Sequence, residues 1–514
     1  MSANLQLARL VERASCLANF ERLRSGFVPT RAERAVILVI SDELSELLGQ
    51  PHPTDNSLSA LHARATSQLA LNLSILSPIR RLPPEFLSAI FVSIIPRDAS
   101  GQFNSFAQMV DVAGVCCAWR ALVRSIPSLW THISSWGAQS GDFDYAARAQ
   151  LAAGLPLHLS HCQLATSEMR TTFLAQLQPH AARWASVDFG FTAPFPNIEF
   201  RAALPALETV TLCLAGSARE SPCGTSLGFL QDAPALKRLT LHLFQDAGDI
   251  HWGWLALPEF PYLTSLEVHV LCGELYFAPE DELLLVLRSC RRSLVFLSLD
   301  ILGDTVQMWP PSMAADPLQL ESLRSICLEG NACHAYLGLI SAPRLEDIKL
   351  RTQYVPEQSQ LTCLVAFSSR QRLPVKRLTL DEVASDSTQT FVRCLELLAD
   401  MEELYVREPE GGVLLLTVPV LRRLTCVDDA PPLLPRLSKV VFDMPQCVAG
   451  GPVGSALRKM LGSRRRARTC AGQAVAALGR VEILAGHQPF DTDFFSSIGC
   501  PNSASPGSTT AFDF

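Results

Sequence analysis

The chain has 514 residues, 48 % of them hydrophobic and 18 % charged, so it can bury a large core with fewer charges than the roughly 25 % usual for globular chains. Its net charge of −7 argues against a whole-chain nucleic-acid binder, which would be basic. The 16 cysteines never stand in C-x-x-C spacing, which excludes the ligand pattern of zinc-ribbon, RING and thioredoxin-like sites. The opening residues lack a long apolar run. Apolar runs along the chain, such as Ala35–Ile40 and Val413–Leu416, are far too short to span a bilayer, so no membrane association is expected. An intracellular, reducing setting, cytoplasmic or nuclear, follows as the expectation, with most thiols buried as small hydrophobes.

Residues 1–76 read as a helical N-terminal extension. Ile37, Ile40, Leu44 and Leu47–Leu48 recur at helical spacing, Gly49–Ser57 breaks the pattern, and Leu58, Leu61, Leu69, Leu71 and Leu73 suggest a second helix able to pair with the first. At Ser77 the texture changes to SPIRRLPPEFLSAIFVSIIP. Pro83 and Pro84 suit a first helical turn, where a missing N–H costs nothing, and Glu85 complements the helix dipole. Leu87, Ile90, Phe91 and Ile94 then form one apolar stripe. After a polar loop, Arg97–Ser105, a second helix is expected through Val112, Val115, Cys116, Trp119, Leu122, Val123 and Ile126, ending at Pro127. So small a helical unit cannot hide all these side chains by itself, so part of its surface should be covered by something else.

From about residue 204 an internal repeat dominates, with the core apolar-x-x-apolar-x-apolar. It runs through LETVTL (Leu207–Leu212), LKRLTL (Leu236–Leu241), LTSLEV (Leu263–Val268), LVFLSL (Leu294–Leu299) and LRSICL (Leu323–Leu328). It continues in LEDIKL (Leu345–Leu350), VKRLTL (Val375–Leu380), MEELYV (Met401–Val406), LRRLTC (Leu421–Cys426) and LSKVVF (Leu437–Phe442). Successive starts lie 16 to 31 residues apart, mostly near the leucine-rich-repeat period. WASVDF (Trp184–Phe189) and LPLHLSH (Leu155–His161) fit degenerate opening turns. Each core predicts one short strand whose second and third apolar residues share the inward face. Helices are expected on the return, as in Pro279–Cys290 and Ser387–Ala399. An ordinary α/β domain would need ligand-binding turns, such as Gly-rich phosphate loops, which are absent. The expected fold class is therefore α/β: N-terminal helices and a helical motif, then an irregular leucine-rich-repeat solenoid. Beyond about residue 445 the pattern fades into a short helix at Val453–Met460, a last strand at LGRVEIL (Leu478–Leu484), and a Ser-, Gly- and Pro-rich tail, Pro501–Phe514, expected to be disordered.

The stretch Ser77–Trp130 resembles an F-box. The matching residues are Leu82-Pro83-x-Glu85-x-Leu87-x-x-Ile90-Phe91, Val115-Cys116-x-x-Trp119-Arg120-x-Leu122 and Pro127-x-Leu129-Trp130. The lead-in LRSGFVPTRAE (Leu23–Glu33), SPIRRLPPE and SIPSLWTHI are similar to an expanded fungal F-box family with a helical preface and irregular leucine-rich repeats. Phe86 departs from it, being bulky where a smaller aliphatic is common. The resemblance divides the chain into 1–76 (helical extension), 77–133 (F-box), 134–445 (repeat solenoid) and 446–514 (cap and tail). It implies a substrate-recognition adaptor of an SCF-type cullin–RING E3 ubiquitin ligase, or an interaction scaffold outside any ligase. Leu82, Pro83, Leu87, Ile90, Phe91, Val115, Trp119, Leu129 and Trp130 would pack on a Skp-type adaptor, unless Trp119 and Trp130 serve mainly as internal core.

The outward positions of the repeat strands nominate a face for an unidentified protein target: Arg238, Thr240, His242, Glu267, His269, Lys349, Arg351, Arg377, Thr379, Asp381, Tyr405 and Arg407. No enzymatic role, cofactor, metal or catalytic residue is expected. GTSLG around Ser226 lacks the buried strand of a hydrolase elbow. His158, His161 and Cys162 do not share one strand face, and Cys333–His334 stands alone. The basic run from Arg458 to Arg468 reads as a solvated surface or, alternatively, a nuclear-import signal or a phosphate-contacting patch.

Overall fold

The computed structural model describes residues 3–49, 56–94, 105–135, 144–161, 167–192, 203–215, 225–245, 255–256, 258–276, 282–307, 317–330, 333–352, 360–383, 387–409, 414–444, 451–485 and 488–489. They divide into two compact units, Met1–Ala185 and Ser186–Phe514. Among the described residues no helix is long and apolar enough to cross a membrane. Pro501–Phe514, Cys162 and all of the polar loop Arg97–Ser105 except Ser105 lie outside the described residues.

The first unit opens on α1 (Ala3–Leu17), α2 (Phe20–Ser25), α3 (Arg31–Leu48) and α4 (Asn56–Leu76). A capping box starts α3: Thr30 Oγ1 accepts from Glu33 N at 3.3 Å, and Glu33 Oε2 accepts from Thr30 N at 2.9 Å. Leu7, Leu10, Val11 and Ala14 of α1 pack on Ile40 and Leu44 of α3 and Ala65 of α4. Of the α4 leucines, Leu61 and Leu69 are half-buried against that cluster, but the wholly buried positions of the helix are others. Leu73 is 56 % exposed, whereas Ala65, Gln68, Asn72 and Ile75 are buried. Two of those four are polar and satisfied within the bundle. Gln68 Nε2 donates to Ala18 O at 2.7 Å and Asn72 Nδ2 donates to Ser41 Oγ at 3.1 Å. A hydropathy pattern overlooks such a face because its buried polar groups are matched rather than absent.

The unit continues through α5 (Pro84–Ile94), α6 (Ser105–Gly114), α7 (Cys117–Arg124) and a 3₁₀ turn at Pro127–Trp130. The single helix expected through Val112–Ile126 is broken. Gly114 ends α6, and Cys116, extended at φ −162°, caps α7 by accepting from Trp119 N at 3.4 Å. β1 (His132–Ser134) and β2 (Leu157–His161) pair in parallel, and α8 (Tyr145–Leu151) and α9 (Ser167–Leu177) complete the unit.

The second region is a parallel ladder in chain order. Its strands are β3 (Trp184–Thr192), β4 (Thr209–Ala215), β5 (Arg238–Gln245), β6 (Ser265–Tyr276), β7 (Phe296–Gln307), β8 (Ser325–Gly330), β9 (Asp347–Arg351), β10 (Arg377–Asp381), β11 (Glu403–Arg407), β12 (Lys439–Met444) and β13 (Arg480–Ala485). Leu239, Leu266, Leu297, Ile326, Ile348, Leu378, Leu404 and Val440 register as one buried row. Leu241, Val268, Leu299, Leu328, Leu350, Leu380, Val406 and Phe442 form the next. Burying each such side chain contributes about 1.5–3 kcal/mol relative to exposure. Helices α10 (Glu282–Ser289), α11 (Tyr336–Leu339), α12 (Gln360–Arg370), α13 (Thr388–Leu397), α14 (Val418–Leu424) and α15 (Pro452–Ser463) lie on the connections. The architecture is α/β, a helical N-terminal region followed by a parallel sheet with helices.

One repeat core is corrected. In LRRLTC the first four residues, Leu421–Leu424, end the helix α14 instead of forming a strand, because Pro419 sits in a first turn and Val420, Leu421 and Leu424 then share a buried face. The ladder also runs past residue 445, since β13 pairs in parallel with β12. The basic run is split. Arg465 and Arg466 are exposed, but Arg464 is fully buried, donating to Leu424 O at 2.8 Å, Leu434 O at 2.9 Å and Leu433 O. Arg464 therefore ties α15 to the preceding loop and serves neither as solvated surface nor as part of an import signal.

His161 and His334 are buried, and burial pushes each imidazole down to about 4, with Arg170 adding to the effect at His161. Both ring nitrogens of His334 lack a hydrogen-bond partner. A folded pKa below the unfolded value of about 6.5 means that the unfolded chain binds more protons, so stability is full above that pH and falls as pH drops toward 4. Urea midpoints should accordingly decrease between pH 6.5 and 4, and a His334→Leu variant should show a flatter decline.

Candidate protein-docking faces

The helical motif is small, and its interior consumes much of its apolar surface. Leu87 and Phe91 of α5 pack with Met109 and Val112 of α6 and Val123 of α7. Phe91 and Trp119 rings lie 4.9 Å apart, and Trp130 Nε1 donates to Val123 O at 2.9 Å. Ile90, Trp119, Leu129 and Trp130 are half-buried against the same cluster. Of the nominated adaptor residues, Phe91 is thus internal, Leu87 is buried but for an edge that meets the cleft, and both tryptophans are anchored inward.

Leu82, Pro83 and Val115 remain at the surface, at 36 % exposure for Leu82 and 42 % for Val115. Among the described residues, four further apolar side chains, which the residue pattern did not single out as contacts, lie outside: Ile79, Phe86, Ile94 and Val110. Phe86 is the most exposed of them at 62 %. One residue off the stripe of Leu87, Ile90 and Phe91, it is turned about 100° around the helix and cannot join that core. Its misfit in the motif was the available signal.

Between the start of α5 and the face of α7 opens a cleft of about 490 Å³, lined by Leu82, Pro84, Leu87, Trp119 and Leu122, with Gly26 and Arg80 at its edge. Gly26 has φ +80°, and a Cβ there would stand 2.7 Å from Ala118 Cβ, so only glycine allows α2 to end so close to α7. Arg80 Nη1 donates to Leu23 O at 3.0 Å, reinforcing the same junction. The N-terminal helices are therefore joined to the motif at one rim of its cleft.

The outward face of the ladder carries a polar row in register: His242, His269, Asp300, Glu329, Arg351, Asp381, Arg407 and Asp443. Thr240, Glu267, Lys349, Thr379 and Tyr405 lie in the neighbouring row, while Arg238 and Arg377 lie nearer the strand starts. Much of this charge is spent within the sheet. Lys349 reaches Glu329 at 2.8 Å, Arg351 lies 3.5 Å from Glu329 and 3.4 Å from Asp381, and Arg407 lies 3.5 Å from Asp381 and 3.0 Å from Glu382. Arg377 pairs with Asp347 at 3.1 Å. Asp300, Glu329 and Asp443 occupy the same outward parity and were legible one residue after the third apolar position of their repeats.

His242 and His269 stack with centroids 4.6 Å apart. Hydrogen bonds first to Asp300 and then to Glu267 raise His269 to about 9, while burial, followed by the His269 charge, lowers His242. Asp300→Asn should return the His269 imidazole titration from about 9 toward 6.5, followed by proton NMR.

The weaker sequence candidates stay dispersed. His158 stacks on His132 at 4.5 Å, His161 lies against Phe173, and Ser226 stands in a two-residue strand paired in parallel with Leu255–Ala256. Cys333 Sγ donates to Glu329 O at 2.7 Å, and burial holds that thiol well above its usual range.

Comparison with known families matches residues 79–135 to an F-box-like family model. No curated relative matches the chain. The matched segment runs from just before Leu82 through Ser135 and so contains α5, α6 and α7, with the residues of α5 and α7 that line the cleft.

Proposed function

We propose that this chain is a non-catalytic substrate-recognition adaptor of an SCF-type cullin–RING E3 ubiquitin ligase. F-box-like domains generally act through protein–protein interaction, binding Skp-type adaptors, and the match over 79–135 supports that role here. The observation that carries the reading is the set of apolar side chains at the surface of a motif whose core is already full: Leu82, Phe86, Ile94, Val110 and Val115. A partner helix laid against such a surface removes it from water.

In this reading the parallel ladder is a leucine-rich-repeat-like solenoid that presents the target. Its regular two-row core and its outward polar row support that assignment, and the fungal F-box family remains the resemblance of choice. The mechanism is proximity: one end is fixed to the ligase while the repeats hold a lysine of the target near the charged conjugating enzyme. No residue of this chain performs covalent chemistry. The test is reconstitution with a Skp-type adaptor, a cullin and a RING protein. Ubiquitin transfer to a ladder-bound protein, lost when the surface of the motif is mutated, supports the reading. Adaptor binding without any transfer would instead make the chain a scaffold.

A further inference from the structure

On the outward face of the ladder, His242 of β5 stacks on His269 of β6 with ring planes 12° apart. The other side of its ring faces β4, where the residue in register is Cys213, and the next in register, on β3, is Gly190. Neither carries a ring or a long side chain, so in this row the stack stops at His242. Phe244, two residues along β5 and 37 % exposed, holds its ring parallel to that of His242 within 4°, with centroids 6.3 Å apart. Two parallel aromatic faces thus border small residues, on strands spaced about 4.8 Å apart. A planar group resting above Cys213 would form the third layer of the His269–His242 stack. The charge around this step is negative. Asp188 shares the outward parity of Gly190 on β3, and burial, with the Asp188 carboxylate adding to it, pushes the Cys213 thiol up to about 11. Glu267 and Asp300 stand behind the stack, 3.9 Å and 3.3 Å from His269. Burial and the His269 charge hold His242 below the ordinary imidazole value, so its ring is neutral at pH 7. Asp188, Glu267 and Asp300 therefore outweigh the charge on His269. Arg238, four residues back on β5, is engaged with Thr209 Oγ1 at 3.2 Å.

We propose that this step seats an arginine side chain of the target protein. A guanidinium is planar and cationic, so it can lie flat on His242 and Phe244 while its edge donates to a carboxylate, here that of Asp188. A lysine ammonium has the charge without the plane, and a neutral aromatic ring has the plane without the charge. An anionic group would meet the surplus of carboxylates and be repelled. The inference rests on the target-presenting reading for the owner of the arginine, whereas guanidinium recognition is measurable without any ligase component.

The experiment uses the full-length chain and a fluorescent degenerate peptide library centred on arginine, read by fluorescence anisotropy. Libraries centred on citrulline, which keeps the plane without the charge, and on lysine serve as comparisons. The arginine library should bind at least about tenfold more tightly than either. In the chain labelled at histidine, N-acetyl-arginine amide should shift the His242 ring signals saturably, and N-acetyl-citrulline amide should not. Phe244→Ala with Asp188→Asn should reduce the arginine preference to parity while leaving thermal unfolding and Skp-adaptor capture unchanged. Equal binding of the arginine and citrulline libraries, equal binding of the lysine library, His242 signals that arginine leaves in place, or a preference that survives in the double variant would each overturn the proposal. Loss of adaptor capture by the unmodified chain would count against the ligase reading alone.

Discussion

Leu82→Asp combined with Phe86→Asp should lower capture of a Skp-type adaptor at least about thirtyfold while leaving the thermal midpoint of the chain within about a degree. The magnitude follows from exposed apolar anchors, each worth about 2 kcal/mol or more when central to an interface. The selectivity follows from location. Phe86 is 62 % exposed and Leu82 36 %, so a carboxylate at either position stays hydrated in the free chain. Phe91→Ala separates the two roles. Phe91 is 1 % exposed and lies against Trp119, and its truncation should cost about 3–5 kcal/mol and disorder the motif itself. Adaptor capture would then be lost together with the fold of the motif, as read by circular dichroism. If the surface pair left capture intact, the docking face would lie elsewhere.

Gly330→Ala should destabilise the ladder by at least about 3 kcal/mol, seen as a large fall in the urea midpoint. Gly330 ends β8 with φ +92°, a conformation that side chains rarely adopt, and a Cβ there would stand 1.9 Å from Ile301 O. Strain of about 1–3 kcal/mol from the backbone angle alone is joined by a clash with the main chain of β7, which a rotamer change cannot relieve. The strands must separate locally, and Ile301 and Gly330 are direct neighbours in register. Leu299→Ala, two pairs earlier along β7, should cost about 2–5 kcal/mol by a different route, a cavity in the core. An alanine at 330 tolerated without loss would contradict the close approach of β7 and β8.

Much of the ladder was legible because its strands alternate. A period of two puts Leu239 and Leu241 inward and Arg238 and Thr240 outward, whatever lies between repeats. LRRLTC defeated the same rule because its apolar residues also satisfy a helical face, and Pro419 decides between the two. In the helical motif, periodicity found the apolar stripe of α5 but could not say what covers it. Leu87 and Phe91 are covered by α6 and α7, whereas Phe86, outside the stripe, is left in solvent. Gln68, Asn72 and Arg464 were illegible for a related reason: each is polar and buried, and its partner carbonyl or hydroxyl lies 30 or more residues away in at least one contact.

The account depends on an unfilled apolar surface on the helical motif that takes a Skp-type adaptor. Hydrogen–deuterium exchange of the full-length chain, with and without that adaptor, tests it most directly. Protection should arise at Leu82–Ile94 and around Val110–Val115, with the ladder strands unchanged. Exchange that stays the same over α5, α6 and α7 when saturating adaptor is added would contradict it.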